Sequence, residues 1–322
     1  MPEPERHDCA VAFCCDRNYF PLALFMIWQI AHHNPDRAFD FVIATRDDLQ
    51  PPAWAAPLQI HLHRVSDPPE AVMADLMKLP KMRRFPGSTT PLDRIMLARE
   101  LGHRYRRILS VDCDMFISGG DFNRLINMDI GAHPLGAVLD APFLYEPNYH
   151  AREYQRAGLG AAPYCNSGLL LIDTAAYVAQ DVDHRSFAVF KKHPDAILYS
   201  DQSITNLALW GGFAQLAPAW NWQNSARLPF FTLNYPVFLH HFIGKHKPDR
   251  LLLRTLDARF NLAYREFMAR YFPEHLEKLA LPLPHEPLRK GKLFSVVMEH
   301  LLARRTTIAL LDRFPDPYVA LI

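Results

Sequence analysis

The stretch "RRILSVDCDMFISGG" (106–120) sets two carboxylates, Asp112 and Asp114, one residue apart at the exit of an apolar run. Burying charge without a partner is costly, so the pair belongs either to a turn or to a ligand. As a turn it would lean on Gly119 and Gly120, which follow closely. As a metal clip it would offer hard oxygen ligands to a divalent cation. The tripeptide itself does not choose, because Asp-x-Asp recurs at Asp181-Val182-Asp183 with no apolar strand before it. Context is therefore the evidence. "RRILSVD" (106–112) reads as a strand that delivers Asp112 to its carboxyl end, where open α/β sheets bind ligands.

Outward from that strand the chain alternates. "CAVAFCC" (9–15) is a short apolar run ending in Asp16, and a helix is expected over about 21–33. "FDFVIAT" (39–45) and the alternating "LQIHLHRV" (58–65) read as a second and third strand. "STTPLDRIMLARELG" (88–102) opens a helix, with Thr90 as cap, Pro91 in the first turn and Asp93 at the positive end of the dipole. Strand–helix alternation predicts an α/β domain with a mostly parallel central sheet flanked by helices. Asp16 and Asp112 then stand at two strand ends of one sheet, a stronger signal than either alone. Further strands are expected in "LGAVLDAP" (135–142), "YCNSGLLLIDT" (164–174) and "PVFLHHFIG" (236–244), and helices over about 175–193, 201–210 and 257–271.

The 322 residues are 49% hydrophobic, enough for one large α/β domain or two small ones. A formal net charge of +1 gives no argument for nucleic acid, and no nucleic-acid partner is expected. The basic "KMRRF" (81–85) is expected to border a cleft instead. Five cysteines, an odd number with no Cys-x-x-Cys pair, point to a reducing compartment. The opening "MPEPERHDCAVAF" lacks a signal-peptide core, and "FPLALFMIWQIAHH" (20–33) is too short to span a bilayer. The expectation is a cytoplasmic protein.

Taken in order, these stations resemble glycosyltransferase family 8, the retaining nucleotide-sugar transferases of GT-A fold that include bacterial lipopolysaccharide galactosyl- and glucosyltransferases and glycogenin. "FCCDRNYFPLALFMIWQIAHHNPD" is similar to the family's opening strand and helix, and "TTPLDRIMLA" to the helix whose arginine reaches the nucleotide sugar. "RRILSVDCDMFI" resembles its metal segment; "YCNSGLLLID" and "YSDQSITN" resemble its asparagine–serine–glycine and aspartate–glutamine motifs. "HHFIGKHKPD" resembles the closing histidine–glycine–lysine–proline signature. Each is weak alone, since His241 or Lys247 singly would read as core or surface; their common order, from about residue 9 to 250, is what carries weight.

The resemblance implies a UDP-hexose donor and a glycan or glycolipid acceptor. It implies a metal held by Asp112, Asp114 and His241; one imidazole among carboxylates favours Mn2+, with Mg2+ as the substitute. Donor binding would fall to Asp16, Asn18, Tyr19, Arg94, Cys113, Asp140, Asn166, Ser167, Gly244 and Lys247, and catalysis to Asp201 and Gln202. A diphosphate leaving group needs its charge neutralised as the sugar bond breaks, which a divalent metal does. The chain departs from the family at Ser203, where another aspartate is usual, and at Asp249, where tryptophan is frequent. Without a carboxylate at 203, a front-face transfer is expected.

Residues 1–275 are expected to form the catalytic domain and 276–322 a helical C-terminal segment. In "LRKGKLFSVVMEHLLARRTTIALL" (288–311), Phe294, Val297, Met298 and Leu301 recur at helical spacing between basic ends. Such a helix suits either packing on the domain or peripheral contact with the inner face of a membrane. Cys14, Cys15, Cys113 and Cys165 flank the proposed site residues, either as small buried hydrophobes or as reactive thiols. Two rivals are weighed: a haloacid-dehalogenase-type phosphatase, and a non-catalytic nucleotide-sugar-binding protein of the same fold. The phosphatase needs a second acidic metal pair downstream, whereas Asp47-Asp48 lies upstream.

Overall fold

The computed structural model describes residues 7–68, 70–76, 90–223, 228–243, 258–278 and 290–322. A central sheet is laid down by β1 (Cys9–Cys14), β2 (Asp40–Thr45), β3 (Ile60–Arg64) and β4 (Arg107–Val111), followed by β6 (Leu135–Leu139), β7 (Cys165–Asp173) and β8 (Ala214–Gln215). Their order is β3-β2-β1-β4-β7-β6-β8. β1 lies parallel to β2 and β4, and β2 to β3. β1 and β2 are buried along nearly their whole length, as continuous apolar strands covered on both faces must be. The fold is thus the α/β arrangement expected, with a mostly parallel sheet.

One strand breaks the parallel pattern. β7 runs antiparallel to both β4 and β6, with Val111 opposite Leu169. Its N-terminal residues therefore reach the same sheet edge as the carboxyl end of β4, which a parallel strand would not have done. A second ladder, outside the central sheet, joins β5 (Met115–Ile117) to β9 (Leu239–His241), with Met115 opposite His241. Among the described residues of the expected 236–244 strand, only these three pair in this way.

Helices cover both faces. α1 (Phe20–His33) packs Phe25 against Tyr264 and Phe267 of α9 (Ala258–Tyr271), with ring centroids 4.2 and 5.0 Å apart. α2 (Glu70–Leu76), α3 (Thr90–Leu101), α4 (Phe122–Ile126) and α5 (Arg152–Arg156) follow in the chain. Thr90, expected as a cap, lies within α3 as its first described residue. The helix expected over 175–193 is two, α6 (Thr174–Ala179) and α7 (Val182–Lys192). Asp181, at φ +50°, makes the break, and Asp173 caps α6 by accepting from the Ala176 N–H at 2.9 Å. α8 (Ser200–Leu209) carries the aspartate–glutamine motif.

α10 (Lys290–Leu311) packs on the domain through Ala303, Thr307, Leu310 and Leu311, all buried. The Thr307 hydroxyl donates to the Leu144 carbonyl at 2.9 Å. Beyond the helix, Leu321 bridges to Gln215 of the edge strand β8. Phe294, Met298 and Leu301, singled out for their spacing, are exposed, as are Leu302 and Ile308. No helix among the described residues is long and apolar enough to cross a membrane.

Candidate active site

β4 ends at Val111, and the next residue, Asp112, is tied back to β7 by its N–H, which donates to the Gly168 carbonyl at 2.9 Å. Three residues on, the chain enters β5 and pairs with β9, which sets His241 beside Asp114. The imidazole Nε2 lies 3.6 Å from an Asp112 oxygen and 3.5 Å from an Asp114 oxygen. One ligand atom from each of the three residues fits within 4.8 Å of the others. Asp114 and His241 are buried and Asp112 half-buried.

The donor chemistry of His241 fits a cation. Its Nδ1 lies 3.0 Å from the Asn221 side-chain oxygen. That oxygen is fixed as an acceptor because the Asn221 amide nitrogen donates to the Asn166 Oδ1 at 2.9 Å. Nδ1 thus donates to Asn221, which turns Nε2 toward the two carboxylates, the position from which it could ligate a cation. Gly168 makes room for the ring. A Cβ there would lie 2.7 Å from the His241 Nδ1 and 2.8 Å from the Met115 methyl.

Asn166 continues the chain of amides. Its Oδ1 also accepts from the Gly168 N–H at 3.0 Å, and its Nδ2 donates to Asp140 at 3.1 Å and to the Gln202 Oε1 at 3.0 Å. The Ser167 N–H donates to the same Gln202 oxygen at 3.3 Å. Arg94, buried on α3, makes the second link. Its guanidinium donates to Asp112 and to the Ser167 carbonyl, and its Nε lies 3.3 Å from Asp201. Burial pulls against the Arg94 charge, but Asp112 and Asp201 hold its pKa above the usual value. Burial pushes the Asp201 carboxyl up against the pull of Arg94, and pushes Asp140 up to about 6 despite its bond from Asn166.

The sites named from sequence fall as follows. Asp112, Asp114 and His241 form one cluster; Asp140, Asn166, Ser167, Asp201, Gln202 and Arg94 form a connected network beside it. Asp16 follows β1, next to β4, and its Oδ1 accepts from the Asn18 and Tyr19 N–H groups at 3.0 and 3.1 Å. One oxygen of Asp16 is therefore spent on shaping the turn into α1. Cys113 is 5% exposed, its thiol lying 3.9 Å from the Cys14 carbonyl and against Cys15. The contact with Cys15 and burial push that thiol well above its ordinary pKa, and burial pushes Cys165 up to about 12. Both lie as small buried groups, the first of the two readings of these cysteines. Gly244, Lys247, Asp249 and "KMRRF" lie outside the described residues.

Sequence reasoning missed Asn221, Gly168 as the seat of His241, and Glu153. Glu153 is a carboxylate only 2% exposed that accepts from the Tyr164 hydroxyl at 2.9 Å and the Ser203 hydroxyl at 3.0 Å. The "NSG" and "WNW" runs hint at the first two, but no spacing points to Glu153.

A mostly parallel α/β sheet with an Asp-x-Asp and histidine cluster at its carboxyl edge is the arrangement expected of a glycosyltransferase of GT-A fold. The family model for glycosyl transferase family 8 matches residues 10–249, and the chain belongs to that family. Among solved structures it is similar to a galactosyltransferase LgtC in complex with donor and acceptor sugar analogs: 21% identity, TM-score 0.63, covering 80% of this chain and 95% of that one. It is also similar to the glycosyltransferase GlyE of Streptococcus pneumoniae TIGR4: 16% identity, TM-score 0.55, covering 84% of this chain and 64% of that one. At those identities the likeness is one of fold. General stress protein A of Bacillus subtilis (strain 168) is 27% identical over 129 residues, 39% of this chain and 43% of that protein. The chain thus matches less than half the length of that curated relative.

Proposed function

We propose that this protein is a metal-dependent retaining hexosyltransferase that moves galactose or glucose from a UDP-sugar to a hydroxyl of a glycan or glycolipid acceptor. The acceptor reading is a growing lipopolysaccharide or capsular glycan. The observation that carries the proposal is the linkage of the Asp112–Asp114–His241 cluster through Arg94 and the amide chain to Asp201 and Gln202. Asp112, Asp114 and His241 would hold Mn2+, which when bound neutralises the diphosphate as it leaves. Asp16, Asn18 and Tyr19 would bind the base, and Asp140 and Asn166 the sugar. Front-face transfer is favoured by the state of Gln202. Its carbonyl oxygen already accepts from Asn166 and Ser167, and position 203 offers a hydroxyl. The leaving phosphate oxygen then takes the proton of the incoming hydroxyl while an oxocarbenium-like sugar lies between them. A covalent sugar adduct trapped on an enzyme carboxylate would refute this route.

The test is release of UDP from a panel of nucleotide sugars, with manganese, with magnesium and with chelator, wild type beside Asp114→Ala. Manganese-dependent release from one donor, lost in the variant, identifies the reaction and the sugar. Nucleotide binding without turnover of any donor, even with glycan acceptors added, would favour the non-catalytic binder instead. We further propose peripheral attachment to the cytoplasmic face of a membrane, supported by the exposed Phe294, Met298, Leu301 and Leu302 beside the exposed Arg304 and Arg305 of α10.

A further inference from the structure

The start of α8 is strained. Ser200, its first residue, has φ +37°, a left-handed conformation that a side chain adopts reluctantly, and the next two residues are Asp201 and Gln202. Strain of this kind persists only where the surroundings over-determine it. Here they do so through Ser203. Its hydroxyl oxygen accepts from the N–H groups of Leu198 and Tyr199 at 3.1 and 2.7 Å, which closes the turn into the helix. The same hydroxyl donates to the Glu153 Oε1 at 3.0 Å, and the Tyr164 hydroxyl donates to that oxygen as well. Glu153 comes from the short α5 and makes no ion pair among the described residues. A carboxylate buried with two hydroxyls for company is expensive, and a chain holds one for a reason. It also sits against the first turn of α8, where the helix dipole favours negative charge. Its acceptor oxygen leaves the Ser203 proton one direction to point, so the serine lone pairs face Leu198 and Tyr199.

We propose that Glu153 is a positioning residue of the sugar-transfer site, acting through Ser203 to hold the Leu198–Ser200 turn and thereby the placement of Asp201 and Gln202. Its role in transfer rests on the hexosyltransferase reading; its hold on the turn does not. The experiment compares Glu153→Ala, Glu153→Gln, Ser203→Ala and the double alanine variant by amide hydrogen exchange and by UDP release. Glu153 does not touch the Leu198 or Tyr199 amides, so faster exchange there in Glu153→Ala reports transmission through Ser203. The expected result is acceleration by about tenfold or more at both amides in each single alanine variant, with the double variant no worse, as residues acting as one unit require. Glu153→Gln, which keeps an acceptor oxygen, stays near wild type. In turnover the alanine variants lose about tenfold or more in kcat while affinity for UDP with manganese holds, because the metal cluster is untouched. Wild-type exchange at Leu198 and Tyr199 in Glu153→Ala overturns the proposal, and so does wild-type kcat in an active enzyme. If Glu153→Ala does not fold, Ser203→Ala decides, and wild-type kcat there overturns it. A wild-type enzyme that releases UDP from no donor would count against the functional reading alone, since the exchange result still decides whether Glu153 holds the turn.

Discussion

His241 owes its position to two residues that carry no charge. Gly168 leaves it space and Asn221 fixes its proton. Gly168→Ala would drive the ring off the two aspartates, and Asn221→Leu would free the imidazole to rotate or change tautomer. Each variant should weaken manganese binding by about 10–100-fold, the usual cost of losing a group that orients a metal ligand. Calorimetric titration of manganese in the presence of UDP checks this, and wild-type affinity in both variants would remove His241 from the ligand set. Asp140 makes a second prediction. Burial lifts its folded pKa to about 6, above the ordinary aspartate value near 3.8, so the native state holds the extra proton between those values. Stability from this group is therefore full below about pH 4 and lost as pH rises to about 6, then flat. Asp140→Asn should gain melting temperature relative to the metal-free wild type across that window. Asp93, pushed by burial to about 6 against the pull of Arg46, keeps a slope of the same sign in both proteins. An unchanged difference between the two proteins from pH 4 to pH 7 would mean that Asp140 is charged throughout.

The elements show where legibility in the sequence ended. Asp16 and Asp112 were readable because apolar runs announce buried strands, and the carboxyl ends of such strands bind ligands. The mostly parallel sheet was legible, but the antiparallel course of β7 was not, since "CNSGLLLID" reads alike in either direction. Yet that reversal is what brings Asn166 and Gly168 to the edge where β4 ends. Asn221 and Glu153 act by hydrogen bonds to residues far along the chain, through ladders and turns that no local pattern encodes. The split of the expected 175–193 helix turned on Asp181, whose φ of +50° is not a residue-type signal as a glycine would have been. α10 makes an element-scale prediction. Thr307 is fully buried, and its hydroxyl satisfies the Leu144 carbonyl in the turn that follows Asp140. Thr307→Val keeps the shape and removes the donor, leaving that carbonyl unpaired, at a cost of about 1–3 kcal/mol. Thr307→Ser should recover most of it. Equal urea midpoints for wild type and Thr307→Val would show the contact to be worth little.

For the molecule as a whole, α10 is a fixed part of the surface. Thr307 anchors one side, and the segment after it is pinned by the Trp220 indole N–H donating to the Pro317 carbonyl at 2.8 Å. The Arg124 guanidinium lies 3.8 Å over the Tyr318 ring and holds the same segment. Deleting the tail would uncover Trp220 and confuse unfolding with loss of membrane contact, so point substitutions are the sounder probe. Phe294 is 67% exposed and Leu302 78%, both away from the face that meets the domain. Full burial of such side chains is worth about 1.5–3 kcal/mol each, and insertion at a headgroup boundary recovers a part of it. Wild type should therefore sediment with vesicles rich in phosphatidylglycerol and far less with neutral ones. Added salt should weaken the association, because the exposed Arg304 and Arg305 interact through a screened field. Phe294→Ser with Leu302→Ser should cut the partition coefficient by about tenfold or more, since even half of the burial term for two side chains exceeds 1.4 kcal/mol. UDP release from a soluble donor should stay unchanged in that variant, because neither residue approaches the metal cluster. A wild-type protein that stays in the supernatant with anionic vesicles would refute the membrane reading and leave the stripe as a surface for another protein.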